Sequence, residues 1–249
     1  MNNSFDDLLV AFETHSIESI RAILDSGFPI SEPVNGKSPI NWLVEMYLRS
    51  DRFPECLRLL LDRGATLDDP KIEAVLLNDA RALEVAVQAD PTLLEHRPSL
   101  NCSFTPLVGV SLLHVAAEYG NFSVAKKLIE LGIAIDSRAA IDEDGLNGHT
   151  PLFHTVNSNT NRSKPIMELL LAAGASPDIR LPGIVWGTGF EWETIFLDVT
   201  PISYAQFGLM PQMHRNERDI YGNIRELLVG AGRAVPQFRN VPNRYLCPK

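Results

Sequence analysis

The block Ser111-Leu112-Leu113-His114-Val115-Ala116-Ala117-Glu118-Tyr119-Gly120, followed by an apolar stretch closing on Leu131-Gly132, recurs along this 249-residue chain. It returns as Gly148-His149-Thr150-Pro151-Leu152-Phe153 running to Ala173-Gly174-Ala175-Ser176-Pro177-Asp178. In worn form it is Gly36-Lys37-Ser38-Pro39-Ile40 running to Arg63-Gly64-Ala65. A unit this short cannot bury its apolar face alone, so copies must stack on one another. Stacking predicts an open array whose default function is binding and not catalysis.

Each copy carries its own start and stop. Ser38-Pro39, Thr150-Pro151 and Thr200-Pro201 mark three helix starts, because a Ser or Thr suits the N-cap and the first helical position tolerates the missing N–H of Pro. The partner helices bear apolar stripes, Leu57/Leu60/Leu61, Val124/Leu128/Leu131 and Met167/Leu170/Leu171. They end at Gly64, Gly132 and Gly174, with Gly232 closing the last copy, each suited to a left-handed C-terminal position. From start to closing Gly the copies span 26, 21, 24 and 32 residues, the shortest being 111 to 132. The excess falls between the paired helices, at Arg49–Pro54, Asn157–Pro165 and Gly208–Tyr221, where Pro, Asn, Ser or Gly interrupt the pattern. Two further pairs keep the period without the signature, Phe5–Phe12 with Ile17–Leu24 and Lys71–Leu77 with Ala80–Gln88.

These residues resemble the ankyrin repeat, whose signature is Thr-Pro-Leu-His-x-Ala at a period of about 33 residues. The resemblance runs from about Phe5 to Ala234. It implies an all-α solenoid of stacked helix-turn-helix repeats, about six pairs, with β-hairpin fingers of which one is extended. A single domain over residues 1–249 is expected: an N-terminal cap repeat (5–34), a repeat (35–68), a degenerate repeat (69–98), repeats at 106–140 and 146–180, the extended hairpin (181–199), the last repeat (199–234) and a tail (235–249). The tail's Phe238, Val241, Tyr245 and Leu246 recur every three or four positions, which favours docking on the last repeat over a mobile basic arm.

The formal charge of -9 is uneven. Residues 1–145 hold 23 acids and 12 bases, while residues 146–249 hold 8 acids and 10 bases. An acidic front half opposes nucleic acid and anionic membrane and would steer a basic protein partner. The longest uncharged stretch, Pro98 to Ala117, is broken by Asn101, Pro106 and Gly109, so no membrane span is expected. No secretory leader is visible. The three cysteines are odd in number and widely spaced; Cys56 and Cys102 fit reduced thiols in a cytoplasmic protein, Cys247 lies in the tail, and a monomer is expected.

The stretch Pro182–Thr200 departs most from a repeat. Ile184–Trp186 and Trp192–Val199 are β-branched or aromatic, with Gly187-Thr188-Gly189 as a tight turn between them, which predicts a hairpin. Trp186, Phe190, Trp192 and the acids Glu191 and Glu193 have the composition of an interface hot spot, although a strand must bury one face, so about half the aromatics are expected in the core. Trp42 is expected to pack on its neighbouring repeat. The finger at Asn147–His149 would join the hairpin as partner-binding surface.

His149 and His154, with Asp142 or Asp144, raise a hydrolase or metal alternative. The resemblance opposes it, because His114 stands at the signature histidine that bonds backbone between neighbouring loops. No nucleophile or phosphate-loop motif is present, so no metal or other cofactor is expected. The expected function is a non-catalytic scaffold binding a protein partner through its concave face and extended hairpin. The sharper alternative is an inhibitor or immunity protein that occludes a bacterial toxin or enzyme, and a further one is an adaptor holding two proteins.

Overall fold

The computed structural model describes residues 5–101 and 104–235. Cys102, Cys247 and the proposed docking of the tail from residue 236 onward lie outside the described residues. Six consecutive helix pairs follow one another: α1 (Phe5–Glu13) with α2 (Ile17–Asp25), α3 (Pro39–Val44) with α4 (Phe53–Asp62), and α5 (Glu73–Leu76) with α6 (Ala80–Ala89). Then come α7 (Leu112–Tyr119) with α8 (Phe122–Glu130), a 3-10 helix Pro151–His154 with α9 (Lys164–Ala172), and α10 (Pro201–Phe207) with α11 (Glu217–Gly230). Between the last two pairs stands a two-stranded antiparallel sheet of β1 (Leu181–Trp186) and β2 (Thr194–Val199). The expected helix pairs and extended hairpin are both present, and roughly half of the chain is helical.

The local signals act as the residues dictate, with two exceptions. At Thr200 the hydroxyl accepts from Ser203 N (3.2 Å) and Ser203 Oγ accepts from Thr200 N (2.9 Å), a reciprocal cap. At Ser38 the helix starts on Pro39, but the buried hydroxyl makes no cap bond. At Thr150-Pro151 an α-helix does not form. The Thr155 hydroxyl donates to Leu152 O (2.7 Å), and the chain leaves the helical path after one 3-10 turn. Gly64, Gly132, Gly174 and Gly232 all adopt positive φ, and each passes a backbone bond back to the last turn of its helix.

Inner helices pack on inner helices and outer on outer: α1 meets α3, α2 meets α4, α5 meets α7, α6 meets α8, α8 meets α9, and α9 meets α11. Their buried side chains form one cluster from Leu8 to Leu227. Trp42 packs edge-on against Phe5 of the preceding pair (5.7 Å between centroids), as expected of its position.

Polar side chains tie the pairs together. The last four carbonyls of a helix have no partner within it, and the inner helices here are four to nine residues long, so a large share of their carbonyls needs partners from outside the helix. The outer segment of the next pair supplies the donors. Asn121 Nδ2 donates to Val75 O (2.8 Å) and Leu76 O (3.2 Å) at the end of α5. Ser163 Oγ donates to Ala117 O of α7 (3.0 Å), and Asn223 Nδ2 donates to Val156 O (2.9 Å) beyond the 3-10 turn. Asn121, Ser163 and Asn223 are all buried.

A buried carbonyl stripped of its donor costs about 1–3 kcal/mol. Asn121→Ala is therefore expected to lower unfolding stability in urea by about 2 kcal/mol, while Phe122→Ala, at an exposed ring next to it, costs much less. Equal losses for the two variants would show that the tie does not hold the pairs together.

Candidate functional site

The hairpin carries its aromatics on a defined frame. β1 and β2 pair from Leu181 opposite Val199 to Trp186 opposite Thr194. At the base Leu181, Ile184 and Val199 are buried, and Phe196 stacks on Phe207 of α10 (3.7 Å, 15°). At the tip Trp186 stacks on Phe104 (5.4 Å, 19°), Trp192 lies 4.9 Å from Trp186, and Phe190 stacks on Trp192 (4.6 Å, 16°). Trp192 is not in a strand. The connection runs from residue 187 to 193 instead of turning at Gly187-Thr188-Gly189, because Gly187, at φ 72°, lies directly under the Trp192 ring where any Cβ would collide. The ring fills the space a tight turn would leave empty. Phe190 (45% exposed) and Trp192 (44%) face outward, as do Ile195 and Leu197, while Phe196 and Trp186 are half-buried. Glu191 is exposed, and Glu193 Oε2 accepts from Gly189 N (2.8 Å), bracing the loop.

The neighbouring finger supports the hairpin through Asn147, while residues 140–145 of the same finger are exposed. Asn147 N donates to Gly183 O (2.9 Å), its Oδ1 accepts from Val185 N (3.0 Å), and its Nδ2 donates to Asp142 Oδ2 (2.8 Å). Asn147, half-exposed, thus stitches β1 to the finger. The expected place of His149 on the partner-binding surface is corrected: it is wholly buried and reaches no partner.

Three buried histidines meet here, with ring centroids 5.8 Å apart for His114 and His149, 5.7 Å for His114 and His154, and 4.9 Å for His149 and His154. His114 Nδ1 accepts from Ser111 N (3.1 Å) and from the Ser111 hydroxyl (2.8 Å), so its Nε2–H donates to His149 O (3.1 Å). Burial holds His114 and His149 well below the ordinary imidazole range, with the charge of His154 adding to it. Asp142 spends its oxygens on Asp144 N, Leu146 N and Asn147, so no hydrogen bond joins it to a histidine. Among the described residues no group of His, Cys, Asp or Glu has the arrangement to hold a metal ion.

Beside the hairpin a cleft of about 340 Å³ opens on the concave side. Its floor is Glu118 of α7, which accepts from Arg49 Nε (3.2 Å) and from His154 Nδ1–H (2.9 Å). The Arg49 guanidinium also lies over the Tyr119 ring (4.3 Å). Arg162 donates to Tyr119 O (2.8 Å) and Asp51 Oδ1 (2.7 Å), and Arg215 to Asn157 O and Met213 O (both 2.7 Å). Tyr47, Phe104 and Trp186 make the aromatic wall. Of these cleft residues only Trp186 and His154 were singled out from the sequence, His154 for a different chemistry. A signal did exist: each of the three lengthened loops carries one of the arginines.

The Ankyrin repeat family model matches residues 108–137. The chain carries an ankyrin repeat. The match falls on α7 and α8, the copy whose spacing no insertion interrupts. Over 143 residues, 55% of the chain, it is 29% identical to the ADP-ribosylation factor GTPase-activating protein AGD4 of Arabidopsis thaliana. The aligned part is 17% of that relative, so the chain spans less than a fifth of its length. Among solved structures, the ankyrin repeat domain of Bcl-3, a member of the IkappaB protein family, is similar at a TM-score of 0.42 and 19% identity, covering 92% of this chain and 87% of that one. An ankyrin repeat domain from Acinetobacter baumannii AYE is similar at a TM-score of 0.38 and 21% identity, covering 91% and 98%.

Outside the ankyrin match, His15 follows the same logic as His114. It is fully buried between α1 and α2, is hydrogen-bonded to Ser50 Oγ (2.6 Å), and is pushed down to about 4 by burial and by the nearby Arg49 and Arg162. In the unfolded chain these histidines take up a proton near pH 6.5, whereas in the fold they stay neutral. Stability is therefore complete above about pH 6.5 and falls as the pH drops toward 4, by up to about 1.4 kcal/mol per pH unit for each such group. His15→Asn keeps the left-handed backbone (φ 46°) and removes one titrating group, so it is expected to flatten the decline of melting temperature between pH 6.5 and 4.5. An unchanged slope in that window would contradict the assignment.

Proposed function

We propose that this chain is a non-catalytic protein-binding scaffold, a single repeat domain that captures a protein partner with the tip of its extended hairpin and the concave face beside it. Ankyrin repeats in general mediate protein–protein interaction. The observation that carries the reading here is the hairpin tip. Phe190 and Trp192 hold about half their surface in solvent while stacked on a fixed Trp186–Phe104 base. Exposed rings already locked in place lose little entropy when a partner covers them, and aromatic anchors of this kind dominate interface energetics. Ile195 and Leu197 extend the same apolar surface along β2, and Glu191 edges it.

The test is the triple variant Phe190→Ala, Glu191→Ala, Trp192→Ala, which spares Trp186 and the strands. Circular dichroism is expected to match that of the unaltered protein. Partners recovered by affinity capture from the native host are expected to be lost, at least about a hundred-fold in affinity, since two anchors at about 2 kcal/mol each are removed. Recovery of the same partners at unchanged yield would remove the hairpin from the interface.

A further inference from the structure

The three lengthened loops, which join α3 to α4, the 3-10 turn Pro151–His154 to α9, and α10 to α11, deliver Arg49, Arg162 and Arg215 to one cleft. Their charges are not equally answered. Arg49 and Glu118 form a pair whose side chains are 7% and 12% exposed. Arg162, 13% exposed, pairs with Asp51, whose side chain is 98% exposed and reaches in from the rim. Arg215 donates to two backbone carbonyls and to Asn159 Oδ1 (3.4 Å), and among the described residues no carboxylate pairs with it. Burial pulls its pKa down, and the Glu118 carboxylate at the cleft floor offsets this in part without forming an ion pair with it. Across from it stand Tyr47, about half exposed, and the Phe104–Trp186 stack.

We propose that this cleft is a binding site for an acidic segment of the protein partner, with an aspartate or glutamate carboxylate seated on Arg215 and its apolar neighbour laid against the Phe104–Trp186 wall. This rests on the scaffold reading above and adds the chemistry of what enters. A guanidinium held by its own loop meets a carboxylate through two parallel N–H donors at little entropic cost. The cleft's volume takes one or two side chains, not a folded surface, so the segment enters extended. The chain's overall charge of -9 does not oppose this. At physiological salt exposed charges are screened beyond about 8 Å, so the local balance decides: three arginines line the cleft against one lining carboxylate, Glu118, with Asp51 at the rim.

The test uses the full chain labelled with nitrogen-15. The probes are the capped peptide acetyl-Phe-Glu-Glu-amide, its neutral counterpart acetyl-Phe-Gln-Gln-amide, and inorganic phosphate. The acidic peptide is expected to shift the Arg215 Nε–H and Trp186 indole N–H resonances saturably, and the neutral peptide to bind at least about ten-fold more weakly. Arg215→Gln is expected to weaken the acidic peptide about ten-fold or more, while Arg225→Gln on α11 leaves it unchanged. Added sodium chloride provides the same contrast without a mutation, weakening the acidic peptide and sparing the neutral one. Equal binding of the two peptides, or binding insensitive to both Arg215→Gln and salt, would overturn the proposal. Phosphate saturating the same resonances more tightly than the peptide would assign the cleft to a free anion and overturn the peptide assignment. If the acidic peptide fails to bind while the hairpin variant still loses its partners, the cleft assignment falls and the scaffold reading stands.

Discussion

Carbonyl groups at the ends of short inner helices set the terms for everything else in this chain. α5 has four residues and the 3-10 turn Pro151–His154 has four, too few for internal hydrogen bonds to satisfy their own ends. Asn121, Ser163 and Asn223, all buried, add donors from the following pair to carbonyls at these ends, Asn121 reaching both Val75 O and Leu76 O. Apolar faces alone would let neighbouring pairs slide. A carbonyl that is satisfied in only one register fixes the offset, because a slip leaves a buried polar group unpaired at a cost comparable to the hydrogen bond itself.

With the register held from the outer side, the connections on the concave side are free to lengthen. The undecorated copy, α7 with α8, turns directly through Gly120 at positive φ. Three other pairs, α3 with α4, the 3-10 turn with α9, and α10 with α11, instead carry loops of eight residues or more, and those loops converge with the hairpin on one cleft. Glu118, on the inner helix of that plain copy, stands beneath them and takes Arg49 and His154 together. The regular repeat thus provides the floor, and the irregular ones provide the walls. Because Glu118 is already committed, Arg215 is the cation left to meet an incoming group.

How much of this could be read from the residues follows from which interactions are local. Helix starts at Pro39 and Pro201 and helix ends at Gly64, Gly132, Gly174 and Gly232 depend on backbone chemistry within a few positions, and they lie where that chemistry predicts. The turn at Pro151 starts where that chemistry predicts but stays 3-10, with the Thr155 hydroxyl bonded back to Leu152 O. His149 and Asn147 look like surface residues in a Gly-rich finger. Only the packing of the neighbouring repeat and of β1 makes one a buried ring and the other a stitch. The hairpin is legible from its β-branched and aromatic run, yet the position of Trp192 outside β2 depends on its ring lying over Gly187. Arg49, Arg162 and Arg215 are more than fifty residues apart, so their convergence is a property of the stack and not of any motif.

Hydrogen–deuterium exchange on the full chain, alone and with its captured partner, discriminates most directly between binding at this concave edge and binding elsewhere. Protection is expected in the hairpin (181–199) and in the loops 45–52, 155–163 and 208–216, with the outer helices α2, α4, α8, α9 and α11 unchanged. Protection confined to those outer helices, with the hairpin and the three loops exchanging as in the free chain, would contradict the account.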